Sequence, residues 1–159
     1  MDRNDRDNPR FTEGRLASPP SALFQEIITN PEILPFREPK RFAAELTVDL
    51  AHTVMLAERG IIKVKDAAAI CVALSRALEV GPEAISLDTS KGSSLFQIET
   101  YLEGEIGADA AGRMHTARSR TDRSAAIMRL QLRDQLRRVI HALLTWQETL
   151  ISKGEEHYD

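Results

Sequence analysis

From Ala125 onward, apolar residues return every three or four positions, at Ala125, Met128, Leu132, Leu136, Val139, Leu143, Trp146 and Leu150. That spacing is the helical period, and Leu130, Ile140, Leu144 and Ile151 form a second stripe that widens the same face. One helix reaching Lys153 would be roughly 50 Å long, more than a globule of 159 residues covers easily. A broad apolar face on such a helix needs partner helices, as in a bundle. Few other stretches match its length, so either further subunits supply the partners or the chain is incomplete.

The start of this helix is marked locally. Ser119-Arg120-Thr121-Asp122 fits a capping box, in which a hydroxyl and a carboxylate each satisfy an orphan backbone N–H, and the helix is expected to begin near Arg120. The surrounding stretch, Gly112 to Ser124, packs four arginines, a histidine and four hydroxyls into thirteen residues. Arg118, Arg120 and Arg123 crowd the positive end of the helix dipole, where each cation costs a few tenths to about 1 kcal/mol. An anionic ligand would resolve that conflict, since helix N-termini and guanidinium forks together bind carboxylate or phosphate. The plainer alternative is that these arginines form a solvated face or pair with acids such as Glu99, Glu103 and Glu105.

Upstream, the chain reads as shorter helices. Residues 1–14 are polar and without periodicity and read as a mobile tail. A short helix follows through Ala22, Leu23, Ile27 and Ile28 and is expected to stop before Asn30-Pro31; Pro31, Pro35 and Pro39 then punctuate a loop. From Pro39 an apolar face runs through Phe42, Leu46, Leu50, Val54 and Ala57 to a stop at Gly60, with His52 on a mixed face as a structural histidine. A second helix begins around Asp66, carries Cys71 as a small core residue and ends at Gly81-Pro82. Ser94-Leu95-Phe96-Gln97 reads as another capping box, before a helix lined by Leu95, Ile98, Leu102 and Ile106. No segment alternates as a strand does, so the class is all-α. The organisation is a tail and loop at 1–38, a helical domain at 39–118, and the first long helix of a central bundle, truncated, at 119–159.

Several function classes fall away. The net charge of −3, from 21 basic and 24 acidic side chains, does not favour nucleic acid, and aromatic residues are sparse around the arginines. A single cysteine forms no internal disulfide and suits a reducing cytoplasm; no metal is expected, because the four histidines lack ligand spacing. No apolar run approaches a membrane span, and the N-terminus lacks a signal-peptide core, so a soluble protein is expected.

The segment Gly112-Arg-Met-His-Thr-Ala-Arg-Ser-Arg-Thr-Asp122, followed by Ala126-Ile-Met-Arg-Leu-Gln-Leu-Arg133, resembles the first signature region of argininosuccinate lyases, G-K-L-H-T-G-R-S-R-N-D-Q before a helix containing R-L-x-x-R. Asp49 to Ile62 is similar to that family's early helix, and Ile98-Glu99 with Leu102, Ile106 and Gly107 to the helix before the signature. The resemblance covers about residues 40–159. It implies a homotetramer on a central helical bundle, with active sites shared among three subunits, that eliminates fumarate from a succinyl-amine adduct without a cofactor. Ser119, Arg120 and Thr121 would then occupy the substrate-binding triplet for a small dicarboxylate, with Arg118, His115 and Thr116 shaping the same wall.

This sequence departs from the pattern in four places. Thr121 stands for the asparagine, Ala117 for the second glycine, Arg123 for the glutamine after Asp122, and Leu95 for a histidine in Ser93 to Glu99. The choice between argininosuccinate and another succinyl-amine adduct is therefore left open. Neither the T-H-L-Q motif with its catalytic histidine nor the S-S-x-M-P-Q-K-K-N loop with its catalytic serine occurs in the 159 residues. The expectation is an N-terminal fragment of a carbon–nitrogen lyase, inactive by itself and with no catalytic residue of its own. The alternatives are a non-catalytic helical oligomerisation module and an anion- or nucleic-acid-binding protein using Arg113, Arg118, Arg120 and Arg123.

Overall fold

The computed structural model describes residues 21–88 and 91–158, so the tail read at 1–14 lies outside them. Every regular element among the described residues is helical. The first are short: α1 at Ala22–Phe24, capped by the Ser21 hydroxyl, a π-helical turn at Gln25–Thr29, α2 at Asn30–Ile33 and a 3₁₀ turn at Leu34–Arg37. Here the sequence reading is corrected, because the helical path does not stop before Asn30-Pro31. Pro31 has no N–H to give to a regular helix, and the wide π turn ahead of it shifts the bonding register. Pro31 thereby falls in the first turn of α2, where a missing N–H costs nothing. Pro35 is likewise absorbed into the first turn of the 3₁₀ segment.

Four longer segments then build the domain. Helix α3 is Pro39–Glu58, opened by proline at its first position and followed by Gly60 at φ 68°. Helix α4 is Val64–Val80, closed by Gly81 at φ 100°, and α5 is Ser94–Ile106, closed by Gly107 at φ 83°. A single turn, α6 at Ala108–Ala111, leads into the arginine-rich segment, and α7 runs 37 residues from Arg120 to Glu156, about 55 Å.

Helix α3 packs on both α4 and α7, and α5 lies against α4 and α6. The larger core cluster contains Phe36, Phe42, Leu46, Ile70, Leu74, Ile98, Leu102 and Met114, and a smaller one joins Leu56 of α3 to Ile62 and Ala67. Phe36 and Phe42 meet edge to face at 5.0 Å between centroids, fixing the 3₁₀ turn onto α3. Cys71 is half-buried at the edge of α4, not in this core. The start of α5 also differs from the capping box read there. Ser93 is the cap residue, and the Ser94 hydroxyl turns inward to Glu45 at 2.5 Å. The Gln97 side chain meanwhile ties down the preceding loop, accepting from the Asp88 N–H and donating to the Asp88 carbonyl at 2.9 and 2.8 Å.

Only the head of α7 is covered. Arg123 and Ile127 are its buried residues, whereas Leu132, Leu136, Val139, Leu143, Trp146 and Leu150 are each about half exposed. The apolar stripe is present as expected but has no partner within the described residues. None of their helices is long and apolar enough to cross a membrane.

Candidate functional site

The site is assembled where α7 begins. Ser119 caps the helix with reciprocal bonds: its hydroxyl accepts from the Asp122 N–H at 3.1 Å, and the Asp122 carboxylate accepts from the Ser119 N–H at 3.2 Å. The Ser119 hydroxyl also donates to Asp122, and these bonds hold the Asp122 carboxyl below its usual range. The chain enters this cap through Ala117, whose φ of 57° lies in the left-handed region that disfavours a residue with a Cβ.

Beneath the cap lies a polar stripe on α3 that the apolar periodicity concealed. Glu45, Asp49 and Thr53, spaced one turn apart, are all buried, at 1%, 0% and 0% exposure. Thr53 is satisfied by the Asp49 carbonyl at 2.8 Å. The carboxylates are satisfied from across the interface. Arg123 reaches down from α7 and grips Asp49 with two nitrogens, Nε to Oδ1 at 2.9 Å and Nη2 to Oδ2 at 2.8 Å, while Nη2 also lies 3.0 Å from Glu45. Arg118 donates to the same Asp49 Oδ1 at 2.7 Å. Burial by itself would lower the Arg123 pKa, but Asp49 and Glu45 outweigh it and hold the guanidinium above its ordinary value. Arg41, at the rim, bonds the other oxygen of Glu45 at 2.5 Å.

The four arginines of the segment thus part company. Arg113 faces away, bound to Asp109 at 2.8 Å with Asp66 3.3 Å off. Arg118 and Arg123 turn inward. Arg120 stays at the surface, its guanidinium carbon 5.8 Å from the centroid of the Phe96 ring, a cation–π distance. Arg113, Arg118 and Arg123 pair with Asp49, Glu45, Asp66 and Asp109; Glu105, one of the acids considered from sequence, pairs with Arg76 at 3.1 Å. Glu99 is buried beside the cluster, and its carboxyl is pushed up to about 7, first by burial and then by the charge of Asp49.

Two histidines brace the segment. His52 Nε2 lies 3.0 Å from the Thr116 carbonyl, which requires the proton on that nitrogen and ties α3 to the motif. His115 Nδ1 is 3.4 Å from Arg118 Nη2 and can only accept there. Burial is the main reason both imidazoles sit below their ordinary pKa, with Arg118 adding to it.

The six residues singled out from sequence lie within positions 115–121, and the structure places them in different situations. Ser119, Arg120 and Thr121 are exposed at the helix start; Arg118 is buried; His115 and Thr116 are half-buried. Sequence reasoning missed Glu45 and Asp49. Their spacing of four on a helix was the available signal.

Over 116 residues, 73% of its length, the chain is 40% identical to the argininosuccinate lyase of Methanosarcina acetivorans and 41% identical to that of Methanosarcina mazei. It is 37% identical over the same length to the argininosuccinate lyase of Methanocaldococcus jannaschii. The matched part spans 23–24% of the length of these relatives. No family model matches, and no solved structure does.

Proposed function

This chain belongs to the argininosuccinate lyase family, and we propose that it supplies one wall of the active site of a carbon–nitrogen lyase. The reaction is elimination of fumarate from a succinyl-amine adduct such as argininosuccinate, in arginine biosynthesis and in the cytoplasm. Such an elimination removes a proton next to a carboxylate and passes through a doubly charged aci-carboxylate. It needs fixed cations and hydroxyl donors where that charge develops. The single observation that carries the reading is the exposed triplet Ser119, Arg120 and Thr121 at the positive end of a 37-residue helix. Arg118, His115 and Thr116 would support it from below.

The uncovered stripe of α7 supports assembly of copies around a central helical bundle, a homotetramer in this reading. The serine and histidine that complete the chemistry are not among these 159 residues, so this chain by itself should release no fumarate. Binding is the direct test. Titration of the isotope-labelled chain with succinate, followed by NMR, should shift the amides of residues 119–121, and Arg120→Ala should weaken binding about tenfold or more. Shifts elsewhere only, or an affinity indifferent to Arg120, would remove the support.

A second reading, a non-catalytic oligomerisation module, is favoured by the same α7 stripe. It expects self-association in sedimentation with no succinate binding.

A further inference from the structure

We propose that Arg118 and Arg123 form a latent carboxylate-binding site whose resident ligand is the side chain of Asp49. The inference concerns residues beneath the exposed triplet and does not depend on which adduct, if any, the protein cleaves.

Three observations carry it. The two guanidinium groups, one from the segment before α7 and one from its first turn, converge on the two oxygens of a single carboxylate, with contacts of 2.7, 2.9 and 2.8 Å. That is the geometry by which arginine pairs clamp a free carboxylate. The second observation is the placement of these cations at the positive end of α7, which a nearby anion must offset. The third is that Arg118, with a side chain only 7% exposed, keeps Nε and Nη1 buried and without a protein partner. An arginine serving only to pin α3 to α7 would have its fork filled. Arg118 instead spends Nη2 on Asp49 and leaves donors in hand.

Asp49 therefore occupies the position that any other carboxylate would take at this pair, and the chain as it stands leaves small carboxylates no open place there. Removing the side chain should convert the pair into a site for the simplest carboxylates. Glu45 stays 3.0 Å from Arg123 and keeps part of the compensation.

The test is rescue of Asp49→Ala by sodium formate or acetate, with sodium chloride at equal ionic strength as control. Thermal unfolding of the variant should shift upward with formate in a saturable manner, by about 5 °C at tenfold excess over its Kd. The native chain should respond to formate no more than to chloride. If Asp49→Ala does not fold unaided, its refolding yield should depend on formate and not on chloride. Adding Arg118→Gln to Asp49→Ala should abolish the rescue. Equal effects of formate and chloride, or rescue that persists with Arg118→Gln, would overturn the proposal.

Discussion

Arg123 of α7 meets Asp49 of α3 through two parallel hydrogen bonds, although the residues are 74 apart in sequence. Both side chains are buried, at 5% and 0% exposure, so the pair is the polar centre of the interface that holds the long helix to the domain. Removing Arg123 leaves Asp49 with Arg118 as its cation and Glu45 with Arg41, so each buried carboxylate keeps part of its compensation. Arg123→Gln should therefore cost about 1–3 kcal/mol, the loss of charged hydrogen bonds at a buried site. Urea unfolding measures it, and an unchanged midpoint would mean that α7 is held by its apolar contacts.

Ala117 is strained in the opposite sense, through its backbone. Its φ of 57° is a conformation glycine adopts freely. Ala117→Gly should raise stability by about 0.5–1 kcal/mol, the left-handed penalty exceeding the extra chain entropy of glycine. Thermal unfolding decides the sign, and a lower midpoint would show that the segment does not need this turn.

Glu99 links the cluster to pH. Its carboxyl titrates near 7 in the folded chain against 4.5 ordinarily, so between those values the native state holds a proton that the unfolded state has released. Its contribution is fully present below about pH 4.5, falls as pH rises and is lost above about 7, amounting to no more than about 3 kcal/mol. Glu99→Gln should flatten this part of the stability profile. Parallel profiles for the two proteins would show that Glu99 is not protonated at the cluster.

How much of this was legible follows from the range of each interaction. The cap at Ser119 and Asp122, the proline start at Pro39 and the stops at Gly60 and Gly81 are local devices, and each stands where the residues predict. Other features depend on distant neighbours. The spacing of Ser94 to Gln97 suits a helix cap, yet the Ser94 hydroxyl goes to Glu45 and Ser93 stands at the cap position. The conflict of cations at the head of α7 was visible, but its resolution by Asp49 needs α3 alongside, which no local pattern encodes. Pro31 marks a break that a π turn upstream absorbs.

Thr121 sets the expected substrate preference. An asparagine amide there would offer two donors and an acceptor, against one hydroxyl and a methyl group for threonine. In a chimera carrying residues 40–159 in the body of a related lyase, Thr121→Asn should raise kcat/KM on argininosuccinate by about five- to hundredfold. No gain would make Thr121 a tolerated variation.

The same chimera tests the central claim most directly, by fumarate release with and without Arg120→Ala. The account predicts an assembled enzyme that releases fumarate and loses at least about tenfold in kcat/KM with the substitution, Arg120 being the exposed cation at the helix start. A chimera that assembles but releases none, or one whose release is the same with alanine at position 120, would contradict it.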